Sequence, residues 1–412
     1  MKFTRFRQSF FFFLIVTRLF SQEGTKPIIP PQRDSLHHAP KSDLGIDILD
    51  VLGMKRLSGE VDSVGQRSMR PRATVIPFLG YTLQTRLAGI IAGNVAFYTD
   101  KDEYTNQSAI SISGSYSQNR QIVAPLLSNI WSKRNKWNFL GNWRYYKYPE
   151  KTFGLGGHTS PYNPTKLDYS YILFREAVLR HVSNSAFYTG LGYNLSYHTH
   201  IDQFPAVPGQ VTDFDKYGYK TSSKSSGLSY HGLFDNRGNT INPQKGSYAS
   251  LAYYQYAKFM GSDNYWEAAI LDMRKYFNIG RSKNVLAFWS YNWITFGGKT
   301  PYLDLPSTGW DAYSNIGRGY IQSRLRGKNL LYLEAEYRFK ITRNGLLGGV
   351  LFSNAQSVSD WGPGNKFTNV YPAVGTGLRI KIAKYSGTNL SIDYGFGLNN
   401  SRGLFINLGE IF

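Results

Sequence analysis

The sequence has 412 residues and a formal net charge of +20; 42% of its residues are hydrophobic and 16% are aromatic. It contains no cysteine, which excludes disulfide bonds, thiolate metal sites and a cysteine-linked lipid anchor. The basic residues form no dense tract and no recognisable reading helix, which argues against nucleic acid as a partner. Anionic lipid headgroups or polysaccharide fit this charge better, and a merely solvated basic lumen would account for it equally well.

Residues 1–21 have the pattern of a secretory signal peptide. A basic start precedes an apolar core at residues 10–16, and Ser21 is a small residue before an expected cleavage site. An N-terminal membrane anchor is the alternative interpretation, but the apolar run is far shorter than the ~20 residues of a spanning helix. We therefore predict that the chain is exported.

Residues 22–72 are polar and punctuated by prolines, which predicts a periplasmic linker. Within it, Ser42 is a suitable N-cap for a short helix over residues 43–55, where Leu44, Ile48 and Val51 contribute to an apolar stripe. Such a helix would be a plug or a periplasmic docking helix, or it would be a frayed tail helix.

Residues 73–412 repeat aromatic and β-branched segments of about ten to fifteen residues, separated by turn-forming residues. The best segments alternate strictly between apolar and polar positions. In residues 329–341, for example, Leu331 and Leu333 share one face, whereas Glu334 and Glu336 share the other. We count sixteen strands, near residues 74–81, 85–99, 106–118, 121–132, 136–148, 166–181, 185–200, 224–235, 247–261, 263–278, 283–297, 328–341, 345–356, 369–384, 387–399 and 402–412.

Each strand alone would also suit a soluble sandwich, with its apolar face inside. Export, the lack of apolar helices, strands that reach the ~9–11 residues of a tilted membrane strand, and aromatic residues near strand ends together favour a membrane barrel. In lipid only a closed sheet satisfies every backbone group, so the apolar face must point outward. The prediction is an all-β fold, a 16-stranded antiparallel transmembrane β-barrel in the bacterial outer membrane, in contact with its lipid and lipopolysaccharide.

A long loop interrupts the strand pattern before residues 329–341. It has roughly thirty residues from Gly297 onward, far more than an ordinary hairpin connection, and loops of this length are usually functional or disordered. Near its end stand Gly317, Arg318, Gly319 and Tyr320. Two glycines allow the backbone to turn tightly on both sides of a fixed positive charge.

This motif resembles the arginine-glycine-aromatic motif in the long lumen-inserted loop of the BamA/TamA-type bacterial surface antigen superfamily of outer-membrane assembly and translocation barrels. Residues 235–239, followed by Pro243 and Gly246, are similar to a hairpin signature of the same family. As an ordered set, the similar segments span about residues 73–412. The resemblance implies that Arg318 contacts acidic groups on the lumen wall, with Glu336 as the first candidate.

The sequence also departs from the family pattern in two places, and the resemblance implies a further site between the first and last strands. Asn354 stands where the family commonly has an aspartate, and residues 22–72 leave no room for a typical POTRA domain, so substrate-binding domains would come from periplasmic or outer-membrane protein subunits. A lateral seam is expected between the first and last strands. Pro77 would weaken the first strand because proline lacks the ladder donor, and Phe412 is expected to end the last strand with an aromatic.

Three functions fit this sequence. The first is a barrel that takes part in outer-membrane protein assembly or translocation, and the second is a passive channel or a lipid- or ligand-transporting barrel. The third is an enzyme acting on lipid, for which the sequence offers histidines but no HExxH or GxSxG motif. His198 and His200 share one predicted strand face and lack a third ligand. We predict no catalytic activity, no metal site and no cofactor.

Overall fold

The computed structural model describes residues 46–51, 69–102, 104–182, 185–280, 284–312, 314–362, 364–384 and 387–412. Within these ranges the chain forms one closed sheet of antiparallel strands. No helix in the described ranges is long and apolar enough to cross a membrane. The predicted signal peptide and most of the predicted linker lie outside the described residues.

The strands follow the chain order around the sheet, and each pairs with its neighbours in sequence. They are β1 (Arg72–Thr82), β2 (Arg86–Phe97), β3 (Ser108–Ser117), β4 (Ile122–Trp131), β5 (Trp137–Lys147), β6 (Glu150–Thr152), β7 (Thr165–His181), β8 (Phe187–Phe204), β9 (Ser223–Asp235), β10 (Gly246–Tyr256), β11 (Trp266–Ile279), β12 (Asn284–Gly298), β13 (Asn329–Lys340), β14 (Leu347–Val358), β15 (Tyr371–Ala383), β16 (Thr388–Gly397) and β17 (Arg402–Leu408). Strands β5 and β6 pair with adjoining parts of β7 and form one strand interrupted at Tyr148 and Pro149. The described residues therefore form a barrel of sixteen strands, as the sequence predicts.

Two strands illustrate the predicted orientation of the apolar and polar faces. In β13, Leu333 is 61% exposed on the outer face, whereas its neighbour Glu334 is 4% exposed and points inward. In β16, Phe396 lies outside and Asp393 is buried inside. Apolar side chains on the outer surface meet lipid, and the polar side chains are gathered in the lumen, where many of them form hydrogen bonds or ion pairs with one another.

The barrel closes through a very short contact between its first and last strands. Strand β1 pairs with β2 over the whole of residues 72–82, but it pairs with β17 at Tyr81 and Ile406 alone among the described residues. Pro77 lies on β1, on the outer face beside a shallow apolar groove that also includes Leu79 and Ile91. Among the described residues, the junction between the first and last strands is thus the least paired junction of the sheet.

Phe412 does not end the last strand, so this prediction was wrong. Strand β17 ends at Leu408, and Gly409, with φ of +104°, turns the following residues out of the sheet. Phe412 is 4% exposed and stacks on Trp289 in the lumen, with ring centroids 5.2 Å apart. Its backbone oxygen accepts a hydrogen bond of 2.8 Å from Arg338. The aromatic ring is buried against the wall of β12 instead of facing lipid at the end of a strand.

A short helix, α1 (Ile48–Val51), lies against one end of the barrel. Of the helix predicted over residues 43–55, the structure describes residues 46–51, and the first two of these are not helical. The backbone N–H of Ile46 donates to Asn344 in the turn between β13 and β14, over 3.0 Å. Lys384, after β15, forms an ion pair of 2.9 Å with Asp50. These contacts place residues 46–51 at the turns that follow β13 and β15.

A second helix, α2 (Asp213–Gly218), lies in the loop between β8 and β9 and was not predicted from the sequence. Thr212 and Asp215 form a capping box, in which each side chain accepts a hydrogen bond from the other residue's backbone N–H. The hydrogen bond from the backbone of Thr212, above all, lowers the pKa of Asp215. Phe214 stacks on Tyr302 at 4.3 Å, so α2 covers the beginning of the long loop that follows β12.

Candidate functional site

The long loop between β12 and β13, residues 299–328, enters the barrel as predicted; we call it the lumen loop, and all of it except residue 313 is described. Its side chains reach two opposite parts of the wall. Near its end Arg318 contacts β13 and β16, and near its start Asp304 contacts β8 and β9. The loop therefore crosses the lumen and is fixed on both sides.

Arg318 is the centre of the first attachment. Its side chain is 1% exposed, and it forms ion pairs with Glu334 and Glu336 on β13 and with Asp393 on β16, the last over 2.5 Å. The guanidinium also lies 3.8 Å from the centre of the Phe352 ring. We call Arg318, Glu334, Glu336 and Asp393 the arginine clasp. A buried guanidinium needs such carboxylates, because an unpaired charge in this place would be very costly.

The clasp continues into a larger charge network on the wall. Arg338 pairs with Glu336 over 2.7 Å, and Arg379 pairs with Asp393 over 2.5 Å. Glu410, in the segment after β17, accepts from Arg379 over 2.8 Å. The network links the lumen loop, three wall strands and the chain after the last strand through direct ion pairs.

Asn354, the residue in place of the family's common aspartate, holds the backbone of the motif. Its Nδ2 donates to the backbone oxygen of Arg318 over 3.0 Å. Gly317 and Gly319 have φ of +84° and +101°, and a Cβ on Gly319 would lie 2.8 Å from the Cβ of Ala373. Both positions thus require glycine, for conformation and for close approach to the wall.

Two wall glycines on β16 receive the motif. A Cβ on Gly395 would lie 2.8 Å from the backbone nitrogen of Gly319, and one on Gly397 would lie 2.5 Å from the Tyr320 ring. The Tyr320 hydroxyl donates to the backbone oxygen of Pro372 over 2.6 Å and accepts from the N–H of Leu398 over 2.9 Å. The lumen face of β16 is therefore shaped to fit the loop.

This fit predicts the effect of Gly397→Ala. The added methyl group would overlap the Tyr320 ring, and we expect a loss of about 1–3 kcal/mol of stability, as for other overpacked sites. The measurement is the denaturant midpoint of the refolded barrel, and the control is Gly232→Ala on β9, where a Cβ meets nothing within 4 Å. Equal midpoints for the two variants would contradict the close packing of loop and wall.

Two further attachments hold the lumen loop. Arg326 is 1% exposed and pairs with Glu150 on β6 over 3.2 Å, while Ser323 donates to the same carboxylate over 2.6 Å. On the other side, Asp304 accepts hydrogen bonds from Ser196 over 2.6 Å and from Ser225 over 2.7 Å. The loop is thus tied to the wall at its beginning, at the motif and at its end.

The structure brings together most of the residues singled out in the sequence. Glu336 and Asn354 both contact Arg318, the one through its carboxylate and the other through the backbone. Glu334 and Asp393 were missed as partners. Glu334 shares the polar face with Glu336, and Asp393 precedes two glycines on the polar face of its strand. The sequence thus placed both acids on lumen-facing rows, where they could have been predicted as partners of Arg318.

His198 and His200 do not share a face, in contrast to the prediction. His198 is 2% exposed and stacks on Tyr171 at 4.3 Å, whereas His200 is exposed. The reason is an irregularity in the pairing of β7 and β8 together with a φ of +52° at His200, which reverses the alternation of inward and outward side chains.

Comparison with known proteins relates this barrel to a family. The model of the Omp85 superfamily domain matches residues 105–407. The solved structure of BamA from Haemophilus ducreyi lacking POTRA domains 1–3 has a TM-score of 0.53 at 14% identity, over 82% of this chain and 70% of that one. CdiB from Escherichia coli has a TM-score of 0.53 at 11% identity, over 82% of this chain and 62% of that one. CdiB from Acinetobacter baumannii has a TM-score of 0.51 at 11% identity, over 82% of this chain and 59% of that one. The chain thus spans less than two thirds of either CdiB. No curated protein matches the sequence.

Proposed function

The chain belongs to the Omp85 superfamily, and we propose that this outer-membrane barrel takes part, with partner subunits, in the assembly of proteins in the outer membrane or in their translocation across it. The observation that carries this proposal is the seam, where β1 and β17 share one residue pair among the described residues, Tyr81 with Ile406. A passive channel needs a wall that stays closed. A barrel that releases a protein sideways needs one junction that separates at low cost.

The sparse pairing supports opening at the seam. An exposed strand edge presents unpaired backbone N–H and C=O groups, which is a template for pairing with another strand. The edge of β1 lies beside the outer groove of Leu79 and Ile91, which faces lipid. A client strand would pair with this edge and place its apolar side chains in the bilayer.

The arginine clasp would stabilise the closed wall near this seam. Arg318 joins β13 to β16, and Arg379 extends the network to Glu410, just after β17. The last strand is therefore tied to the strands before it while its other edge is almost unpaired. In this arrangement β1 would move away from β17, and the clasp would keep β13 to β17 as one body.

Partner subunits would act at the end of the barrel where α1 lies, which we assign to the periplasm. Asp50 on α1 is held by Lys384, and Ile46 is held by the turn at Asn344, so residues 46–51 are fixed to this rim. Residues 22–72 would present the barrel to periplasmic subunits that bind the client. Binding of purified residues 22–72 to periplasmic proteins would be measured by pull-down.

Depletion of the protein in cells tests the proposal directly. We expect several other outer-membrane barrels to decrease, because they would depend on this one for assembly, and quantitative proteomics of outer-membrane fractions measures the effect. An unchanged composition would contradict a general assembly role. Robust conductance of the purified barrel in planar bilayers, insensitive to substitution of Arg318, would instead favour the alternative of a passive channel.

A further inference from the structure

Arg175 on β7 is a lumen arginine with an unusual environment. It lies on the same inward row as the buried residues Tyr171, Leu173 and Ala177. Its Nε is buried and has no hydrogen-bond partner among the described residues. Its guanidinium lies 5.1 Å from the centre of the Tyr254 ring on β10.

Three other inward arginines on the described strands have acidic partners. Arg274 pairs with Asp272 over 2.7 Å, and Arg338 and Arg379 pair with acids of the charge network. The residue next to Arg175, Glu176, cannot serve in this way, because it faces outward and accepts from the Trp143 indole over 2.6 Å. Placing a guanidinium inside a barrel without a carboxylate is costly unless water or an anion compensates the charge.

Polar groups that would hold an anion lie beside Arg175. Asn194 on β8 is its direct cross-strand neighbour and donates to Ser229 on β9 over 2.8 Å. Ser229 in turn contacts Nε2 of His231 over 2.7 Å, and His231 packs edge-on against Tyr254 at 6.0 Å. Strands β7 to β10 thus gather a guanidinium, an amide, an imidazole and a phenol in one continuous patch of the lumen wall.

We propose that Arg175, Asn194, His231 and Tyr254 form a binding site for a phosphate group in the lumen. The guanidinium offers two parallel N–H donors that match two phosphate oxygens, and the imidazole and the hydroxyl groups supply further donors around them. The group would belong either to a lipid headgroup or to a free phosphate. The site lies on β7 to β10 and shares no residue with the arginine clasp.

Calorimetric titration of the full chain in neutral detergent with inorganic phosphate tests the free anion. Native mass spectrometry after reconstitution with phosphatidylglycerol or, as the neutral comparison, phosphatidylcholine tests the lipid headgroup. Both are carried out on the wild type, on Arg175→Gln, on Arg175→Lys and on Arg180→Gln. Arg180 lies on the same strand but is exposed on the opposite face, so its loss removes the same charge without touching the lumen.

We expect saturable binding of at least one of the two anionic probes. Its affinity should fall about tenfold or more in Arg175→Gln, because charge-assisted hydrogen bonds are lost, should be partly kept in Arg175→Lys, and should be unchanged in Arg180→Gln. Binding of inorganic phosphate identifies free phosphate as a ligand, and binding of phosphatidylglycerol alone identifies the headgroup. Absence of binding in both arms, or equal binding by wild type and Arg175→Gln with native stability, would overturn the proposal.

Discussion

Replacing Arg318 with alanine is expected to destabilise the barrel by about 3–5 kcal/mol, the cost of removing one partner from a buried ion pair. The substitution leaves Glu334, Glu336 and Asp393 close together in a buried site with one cation fewer. Arg338 and Arg379 remain, but each already shares its charge with a second carboxylate. The lumen loop would lose its central attachment and should come away from β16.

Two measurements follow this effect. The denaturant midpoint reports the stability, and limited trypsin digestion reports the loop, because Arg324 and Arg326 are buried in the native barrel and should become cleavable in the variant. Arg343→Ala is the matched control, since this arginine is exposed in the turn between β13 and β14. If Arg318→Ala and Arg343→Ala had the same midpoint and digestion pattern, the clasp would not hold the loop.

A second variant separates the effect of the arginine clasp on stability from its effect on client assembly. Arg318→Met combined with Glu334→Gln and Asp393→Asn removes the cation together with two of its three acidic partners, and we expect it to recover part of the lost stability. If the clasp is needed for client assembly, this variant should fold but fail to replace the wild type in depleted cells. Full activity of the folded variant would limit the clasp to a structural role.

The strand pattern allowed the barrel to be predicted because each strand has one lipid-facing and one lumen-facing row, and that alternation is written in the sequence. The contact of Arg318 with Glu336 could also be predicted, because the two residues belong to neighbouring segments of the chain. Asp393 is 75 residues from Arg318 and reaches it only through the registers of β13 to β16. Such registers depend on turn geometry and packing, which single strands do not reveal.

The other differences also have local causes. The position of Phe412 depends on one backbone angle at Gly409, and the separation of His198 from His200 depends on one irregularity in pairing. Helix α2 has six residues, too few for a helical period to stand out in the sequence. The fold follows from a repeated signal, whereas these features follow from single residues whose conformation is decided by their neighbours in space.

Locking the seam with a disulfide is expected to abolish assembly activity while leaving the barrel folded. Tyr81→Cys with Ile406→Cys places two cysteines at the described residue pair that joins β1 and β17. Partners in an antiparallel pair have Cα atoms ~4.5–5.5 Å apart, within the range that a disulfide spans. The natural chain has no cysteine, so an oxidised product can only be the intended bond or a dimer, which gel mobility distinguishes.

The control is a disulfide across a junction that should never open. Val95→Cys with Ile110→Cys joins β2 to β3, whose pairing extends over residues 88–97 of β2, and both side chains belong to the outward-facing rows. The seam-locked barrel should fail to support depleted cells under oxidising conditions and recover when a reductant is added, whereas the control should be active in both. The two disulfides each join neighbouring strands and differ in which junction they lock. Equal activity of both oxidised variants would therefore show that clients are not released between β1 and β17.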